Sequence, residues 1–557
     1  MFTNREIRKK ISLYAELLQL HEKDEALSKK LSSAAYFLRR IEGEIASFTT
    51  KKISALFRPP IGKIILELLE SGSISALDEL IELTPGGLFE LMQIKGLGGK
   101  KLALLWKKGK IDTLEGLLKA CEQKAIRKLP GFGSTSEENI RKGIQSHLDQ
   151  QNHFHLATVA THAEDILKLI RKISPGSLTE FCGGIRRLNP TVAGIEIITT
   201  LDNNAIAKNS KKYMVIKSSS ADKTYGISHE EIPVTIYHTN TSNFHLDRFR
   251  LTGNEQHVLK VMAKIPRTAK SFSSEKSIYQ KAGLPYIVPE MRENLAEWDY
   301  KANPEDLIRF EDIRGVVHNH TTYSDGVDKL GDFVKACKQK NFEYVVISDH
   351  SKNAHYAGGL KEEKVLKQFL EIDKLQKEMK SIRIFKSIEC DIKVNGDLDY
   401  ENSFLKKFDL VIVSIHQQLK MDEAKATRRL LKAIEQPYTT ILGHMTGRLL
   451  LMRPGYPVNY KKIIDACAAN RVIIEINSNP YRLDMDWTQI PYALNKGVWI
   501  SINPDAHSIR EIDNIKWGIA AARKAGLIRA KTWNALPLNR IEEYLKWKKS
   551  NSKEIFK

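Results

Sequence analysis

The chain has little cysteine and no long hydrophobic run. Its five cysteines are scattered and form no Cys-x-x-Cys pair, which argues against a disulfide framework or a thiolate zinc site and fits a reducing compartment. No apolar run approaches the ~18 residues that a membrane span needs, and the N-terminus lacks the apolar stretch of a signal peptide. We therefore expect a cytoplasmic protein with no membrane partner.

The composition is that of a folded protein with an excess of positive charge. Hydrophobic residues make up 42% of the 557 residues and charged residues 28%, and 32 glycines with 18 prolines exclude collagen-like structure. Lysine and arginine number 87 against 67 acidic residues, and both sides of residue 312 contribute to the net charge of +20. A polyanionic partner fits this charge, although a merely soluble basic protein fits it as well.

The hydropathy pattern divides the chain into a helical, a mixed and an α/β part. Residues 1–150 show apolar spacings of three and four broken by glycine, which predicts helices. Residues 154–265 add β-branched runs, and the charged stretch 293–314 is typical of a linker. After it, helical segments alternate with seven apolar ones: GVVH, YVVISDH, RIFKSIE, LVIVSIH, TTILGH, VIIEIN and VWISINPDAH. Strands this apolar are covered on both faces, so we predict a seven-stranded parallel β/α barrel.

Histidines collect at the ends of these predicted strands. Of the seven in residues 313–557, only His355 lies elsewhere. A lone histidine after a strand is usually structural, but six together indicate a site at the carboxyl ends of the strands. In His318-Asn-His320 and in Asp505-Ala-His507 both side chains fall on one face, because side chains of a strand repeat every second residue. Imidazole with carboxylate suits Zn, Mn or Fe, so we predict a multinuclear metal site.

These strand-end segments resemble the PHP phosphoesterase domain over residues 314–528. The matching motifs are His318-Asn319-His320, Ser324-Asp325-Gly326, Asp349-His350-Ser351, Ile388-Glu389-Cys390-Asp391, Gly443-His444-Met445-Thr446-Gly447-Arg448 and Pro504-Asp505-Ala506-His507-Ser508. The resemblance implies three divalent ions, Mn²⁺ or Zn²⁺ first and iron as a further candidate, in a site that is also catalytic. The nine implied ligands are His318, His320, Asp325, His350, Glu389, His416, His444, Asp505 and His507. Asp349 would orient a ligand, and for Arg448 and Arg482 phosphate binding competes with a structural salt bridge.

Two segments of the helical part read apolar-x-Gly-apolar-Gly. They are Ile94-Lys95-Gly96-Leu97-Gly98, followed by Lys100 and Lys101, and Leu129-Pro130-Gly131-Phe132-Gly133. A glycine hairpin lets backbone N–H groups approach a phosphate at a helix N-terminus. One copy is weak evidence, but two copies indicate helix-hairpin-helix binding to DNA phosphates without sequence readout. A third candidate, Pro59-Pro60-Ile61-Gly62-Lys63, is degraded.

The N-terminal half is similar to family X DNA polymerases, in the bacterial form that carries a C-terminal PHP domain. Residues 182–187, CGGIRR, resemble the palm motif Gly-Ser-x-Arg-Arg, which assigns Arg186 and Arg187 to phosphate binding. Residues 252–254 resemble a thumb motif, and residues 283–293 resemble the junction before the PHP domain. The resemblance implies a multidomain chain: a helical, lyase-like domain (1–88), a fingers-like helix-hairpin-helix domain (89–150), a degenerate α+β nucleotidyltransferase-like palm (151–240), a thumb-like region (241–295), a linker (296–312) and the PHP barrel (313–557).

The polymerase motifs depart from the family at the positions that nucleotidyl transfer needs. Two Mg²⁺ ions require anchored carboxylates, and the three family carboxylates fall on Gly194, Glu196 and Thr235. The phosphate-gripping serine of the palm motif is Gly184. The lysine that forms a Schiff base in lyase-active relatives falls on Leu68. We therefore expect polymerase activity to be lost and the lyase function with it.

These observations favour a DNA-binding, metal-dependent phosphodiesterase in DNA repair. We expect a 3′→5′ exonuclease, with abasic-site cleavage as a further activity, acting as a nucleoid-associated monomer on gapped DNA, primer–template DNA or 3′ ends. A working DNA polymerase with 3′→5′ exonuclease activity is the first alternative. A histidinol-phosphatase-like phosphomonoesterase and a non-catalytic DNA-binding scaffold are the others.

Overall fold

The computed structural model divides the chain into two compact units, residues 1–151 and 152–557. It describes residues 2–38, 41, 43–94, 96–150, 153–266, 268, 271–299 and 302–550. Residues 300 and 301 of the predicted linker lie outside this set. Among the described residues, no helix combines the length and the apolarity that crossing a bilayer requires.

The first unit is helical, as the apolar spacing predicts. Its helices are α1 (Asn4–Leu20), α2 (Glu25–Phe37), α3 (Thr50–Leu56), α4 (Ile61–Ser71), α5 (Ser75–Glu82), α6 (Gly86–Leu91), α7 (Gly99–Lys107), α8 (Leu114–Glu122) and α9 (Ser134–Gln150). Thr3 caps the N-terminus of helix α1 and forms a capping box with Glu6. One hydrophobic core, including Leu17, Ile65 and Leu117, extends from α1 to α9, so residues 1–88 and 89–150 fold around a shared interior.

The second unit begins with a mixed α/β part. Its strands are β1 (Phe154–His155), β2 (Thr179–Phe181), β3 (Thr191–Val192), β4 (Ile195–Thr199), β5 (Met214–Ser219), β6 (Lys223–Ser228) and β7 (Pro233–His238). Its helices are α10 (Leu156–Arg171), α11 (Gly183–Arg186), α12 (Asn203–Asn209), α13 (Phe244–Thr252), α14 (Glu255–Met262) and α15 (Glu275–Lys281). Five strands form a sheet in the order β2-β4-β7-β6-β5. Strands β4 and β7 are parallel and place Glu196 beside Thr235.

The C-terminal part alternates parallel strands with helices. Its strands are β8 (Gly315–Val316), β9 (Tyr344–Ile347), β10 (Arg383–Lys386), β11 (Glu389–Asp391), β12 (Val411–Ser414), β13 (Thr439–Leu442), β14 (Ile473–Asn477) and β15 (Ile500–Asn503). Its helices are α16 (Leu330–Gln339), α17 (Glu362–Glu378), α18 (Asn402–Leu405), α19 (Glu423–Ile434), α20 (Tyr460–Asn470), α21 (Ile490–Asn495), α22 (Ile515–Lys524) and α23 (Leu538–Lys549).

The sheet of this part differs from the predicted seven-stranded barrel. The segment RIFKSIE is interrupted at residues 387 and 388, so eight strands form parallel sheets of three (β10-β9-β8) and five (β11 to β15 in order). Isolated parallel bridges, Asn319 with Ala506 and His350 with Glu389, join the two sheets. These bridges lie at the strand ends and bring the polar residues there into one place.

The mixed and C-terminal parts pack against each other within the second unit. Trp517 of α22 lies against the core of the mixed part. Buried Lys524 at the end of α22 donates to the Arg187 carbonyl oxygen at 3.2 Å and to Asn189 Oδ1 at 2.7 Å. A buried ammonium is costly unless it is paired, so these bonds fix the helix against the mixed part.

Candidate metal centre

The nine implied ligands converge at the strand ends of the C-terminal part. Eight of them form three overlapping groups whose ligand atoms lie within 4.8 Å of one another: His320 with Asp325, His350 and His507; His318 with His320 and Asp505; His350 with Glu389 and His416. The ninth, His444, brings its Nε2 to 3.0 Å from Glu389 Oε1. His320 and His350 are each shared by two groups. Each of the three groups could hold a metal ion.

The buried donor atoms of these groups fit metal ions. Both oxygens of Glu389, His318 Nε2 and His320 Nδ1 are buried and make no hydrogen bond within the described part of the chain. Such atoms cost free energy unless something else satisfies them. The donors are imidazole nitrogens and carboxylate oxygens, a set that suits Mn²⁺, Zn²⁺ or iron. Divalent ions bound by these residues would satisfy the atoms that make no hydrogen bond.

The electrostatics of the groups keep the acidic residues ionised. Burial raises the pKa of the Glu389 carboxyl, but the neighbouring His416, His318 and His350 hold that pKa well below its ordinary value. Asp505 is affected in the same way, mainly by His318 and His320. An ionised carboxylate is the form that binds a cation.

Two ligands depend on an unusual backbone. His318 and Asp505, which follow β8 and β15, have φ angles of 67° and 51°, in the left-handed region that costs free energy for residues other than glycine. The next residues of the two segments, Asn319 and Ala506, form the parallel bridge between the sheets. This backbone turns His318 towards Glu389 Oε1, 3.3 Å away, and Asp505 towards His320 Nε2, 3.0 Å away.

The structure adds residues behind the ligands that the sequence reasoning missed. Glu475 of β14 is fully buried and lies 2.6 Å from His318 Nδ1, which fixes the other ring nitrogen, Nε2, towards the ligand group. Asp391 lies 3.3 Å from His416 Nδ1 in the same role. A lone glutamate in the apolar strand VIIEIN was the available signal, because a buried carboxylate needs a partner.

Asp349 holds a loop next to the ligand groups and makes no hydrogen bond to the imidazole of an implied ligand among the described residues. Its carboxylate accepts hydrogen bonds from Thr321 N at 2.7 Å, Ser324 Oγ at 2.6 Å and Gln368 Nε2 at 2.6 Å. The loop that it fixes leads directly to Asp325.

The two candidate phosphate-binding arginines differ. Arg448 donates to the Asp486 carboxylate and to the carbonyl oxygens of Leu483 and Arg482, the last at 2.9 Å, which favours the structural alternative for this residue. The Arg482 guanidinium makes no hydrogen bond within the described residues, and its Nε lies 3.9 Å from Asp505 Oδ2. Arg482 therefore keeps its donors available beside a ligand.

The glycine segments of the first unit form two matching turns. Gly96 and Gly131 have φ angles of 95° and 82°. In each turn the backbone N–H of the next residue donates to a carbonyl oxygen 3.1 Å away, from Leu97 to Ile94 O and from Phe132 to Leu129 O. The second glycines, Gly98 and Gly133, directly precede α7 and α9, and an added Cβ at either would meet nothing within 4 Å. The amide ends of both helices are thus sterically open. Lys101 Nζ donates to Gly96 O at 3.2 Å, and Lys100 Nζ pairs with Glu25 at 2.7 Å.

Carboxylates of the chain itself bind the groups of the polymerase-like motif, residues 182–187. Glu196 accepts from Gly184 N at 3.0 Å. Arg186 pairs with Glu275 at 2.5 Å, and Arg187 with Glu293 at 2.8 Å. These ion pairs satisfy the two arginines that the resemblance assigns to phosphate binding.

Comparison with known proteins agrees with this division of the chain. Residues 317–479 match the family model of the PHP domain. The DNA polymerase/3'-5' exonuclease PolX of Bacillus subtilis (strain 168) is 32% identical over 505 residues, 87% of this chain and 89% of that protein. A probable phosphatase of Thermoanaerobacter sp. (strain X514) is 26% identical over 249 residues, 42% of this chain and 94% of that protein. The probable phosphatase YcdX of Escherichia coli O81 (strain ED1a) is 23% identical over 202 residues, 34% of this chain and 78% of that protein.

The matches identify a protein with a C-terminal PHP domain behind a polymerase-like N-terminal half. More particularly, the chain belongs to the bacterial family X polymerases of the PolX type, because the similarity to that relative spans nearly all of both proteins. The family resemblance seen in the sequence motifs is thereby confirmed.

Proposed function

We propose that the chain is a DNA-binding, metal-dependent phosphodiesterase of DNA repair. Its principal activity would be 3′→5′ exonuclease, with abasic-site cleavage as a second activity to be tested. The observation that carries the proposal is the set of three adjoining ligand groups around Glu389, His320 and His350 with unpaired buried donor atoms. The relative from Bacillus subtilis carries both polymerase and 3'-5' exonuclease in its name.

The nine ligands would hold three ions, most simply Mn²⁺ or Zn²⁺. When bound, such ions supply Lewis-acid activation of water and of the phosphoryl group. The protein's own part is to fix the donors: Glu475 orients His318, Asp391 orients His416, and Asp349 fixes the loop of Asp325. Most of these side chains are buried, so the reacting groups would meet few competing waters.

DNA binding would come from the first unit. The two glycine turns leave helix amide ends open to phosphate, and the net charge of +20 favours a polyanion. The degenerate palm would then serve as part of a DNA clamp without polymerising. We further propose that the chain acts on gapped DNA, primer–template DNA or 3′ ends.

The test is a purified full-length chain with end-labelled primer–template DNA, with and without dNTPs, in Mg²⁺, Mn²⁺ or Zn²⁺. We expect shortening from the 3′ end with Mn²⁺ or Zn²⁺ and no extension. His318→Ala, and Asp505→Ala combined with His507→Ala, should abolish the shortening and lower the bound metal, while His355→Ala, outside the ligand groups, should do neither. Nuclease activity that survives in both ligand variants would overturn the proposal.

A phosphomonoesterase is the second candidate, favoured by the relatives named as probable phosphatases that match the C-terminal part. Histidinol phosphate and a 3′-labelled oligonucleotide, offered to the same preparation, discriminate between the two. Turnover of the monoester with an intact oligonucleotide would favour the phosphatase.

A further inference from the structure

Two side chains border the ligand groups and have no part in holding metal. Tyr356 lies next to His350 and His416, and its ring centroid is 6.3 Å from the first ring and 6.5 Å from the second. Arg482 lies next to Asp505. The two residues thus stand beside different ligand groups of the same centre.

The side chain of Tyr356 is exposed on a turn whose backbone is closely packed. Its relative exposure is 57%, whereas Ala354 and Ala357 on either side are buried. The turn closes on itself, because Ala357 N donates to Ala354 O and Leu360 N donates to His350 O at 2.8 Å. Gly359 packs so closely that an added Cβ would lie 2.0 Å from Ser351 O. A single exposed aromatic residue is ordinary, but one that lies on this closely packed turn, beside the rings of two implied metal ligands, offers a stacking surface to a substrate.

The backbone of Arg482 is held by hydrogen bonds, whereas its guanidinium keeps its donors available 3.9 Å from Asp505. Arg448 donates to its carbonyl oxygen at 2.9 Å, and its own N–H donates to Asn479 O at 2.8 Å. The side chain is 23% exposed, and its guanidinium makes no hydrogen bond among the described residues.

We propose that Tyr356 and Arg482 form a nucleotide-recognition rim. Arg482 binds a phosphate through its planar donors, and Tyr356 stacks on the base of the terminal nucleotide. The inference rests on the proposed phosphodiesterase function and adds to it two residues that would hold the terminal nucleotide. The Tyr356 ring beside His350 and His416 would take the base, and the Arg482 guanidinium beside Asp505 would take the phosphate.

The experiment measures competitive inhibition of the Mn²⁺-loaded full-length chain during hydrolysis of bis(p-nitrophenyl) phosphate. The two inhibitors are thymidine 5′-monophosphate and 2-deoxyribose 5-phosphate, which share the sugar phosphate and differ in the base. Stacking on an aromatic side chain strengthens binding by about 5- to 150-fold, so we expect the nucleotide to inhibit at least ~10-fold more tightly. Equal inhibition of the wild type by both compounds overturns the rim.

Variants assign the two contributions. Tyr356→Ala should remove the preference for the nucleotide, and Tyr356→Phe should keep it. Arg482→Ala should weaken both inhibitors alike, with partial recovery in Arg482→Lys. Leu370→Ala, exposed on α17, is the control, and metal content and melting temperature are compared throughout. A Tyr356→Ala variant that keeps the preference overturns the stacking role. No hydrolysis of any phosphodiester by the wild type would instead overturn the proposed function itself.

Discussion

Gly194 lies so close to Pro233 that an added Cβ would stand 2.4 Å from the Pro233 carbonyl oxygen. Gly194 precedes β4 and Pro233 opens β7, the neighbouring parallel strand that sets Thr235 beside Glu196. The position to which the family resemblance assigns the first carboxylate therefore has no room for a side chain unless the backbone moves.

We expect no template-directed polymerisation by this chain. Two metal ions need anchored carboxylates, and Gly194 and Thr235 provide none. The measurement is primer extension by His318→Ala, which removes degradation of the primer. Extension well above a no-enzyme control, lost again on Glu196→Ala, would show that the palm is active.

Introducing carboxylates at Gly194 and Thr235 should not produce polymerase activity. We expect Gly194→Asp to destabilise the chain by about 1–3 kcal/mol, because an overpacked site must move its backbone, and Gly194→Asp with Thr235→Asp to remain inactive in primer extension. The melting temperature measures the first effect. Gly176→Asp is the matched control, since an added Cβ there meets nothing within 4 Å. A stable Gly194→Asp variant would show that β7 can yield.

Glu475 should control metal binding without touching a metal. Its carboxylate lies 2.6 Å from His318 Nδ1, and loss of such a partner typically costs 10- to 100-fold in metal affinity. We expect Glu475→Gln to lower the affinity for Mn²⁺ by about that factor, measured by titration calorimetry on the full chain. Glu378→Gln, exposed at the end of α17, should leave it unchanged. An unaltered affinity in Glu475→Gln would mean that His318 is oriented by other contacts.

Eight of the nine implied ligands could be predicted from the sequence because they lie at or just after the ends of predicted strands, whereas Asp325 was implied only by the family resemblance. The spacing of two in His318-Asn-His320 predicted both rings on one face of a strand, but the structure places the two residues after β8, with His318 at a φ angle of 67°. The residues still come together because parallel strands bring their carboxyl ends to one edge. Glu475 could not be found this way, because its partner His318 is 157 residues away. Glu475 and His318 come together only in the folded protein, where the sheet that contains β14 joins the sheet that contains β8.

The sequence also could not separate Arg448 from Arg482. Both follow apolar segments and both have the same charge. Their difference lies in loop geometry, which aims Arg448 at carbonyl oxygens and Asp486 and leaves Arg482 beside Asp505. The interruption of the third predicted strand could not be predicted either, because residues 387 and 388 continue the same hydropathy pattern as the strand around them.

DNA binding should be electrostatic and depend on the two glycine turns. We expect the affinity for duplex DNA to fall steeply with salt and to show little sequence preference. Gly96→Ala combined with Gly131→Ala should weaken it at least ~10-fold, because each forces an alanine into a left-handed backbone at about 1–2 kcal/mol. Fluorescence anisotropy at several salt concentrations measures both effects. Gly86→Ala, in open space at the start of α6, is the control, and an unweakened double variant would place DNA binding elsewhere.

His155 should act on the metal centre from the mixed part of the second unit. Its Nε2 donates to Leu450 O at 2.9 Å, its ring packs edge-on against Tyr481 at 4.7 Å, and Leu450 N donates to Tyr481 O. Arg482 is the next residue, so we expect His155→Ala to raise the KM for an oligonucleotide severalfold with little change in kcat. His155→Gln, which keeps a donor for Leu450 O, should recover part of the loss. A fall in kcat and bound metal with unchanged KM would show that His155 supports the ligands rather than the arginine beside them.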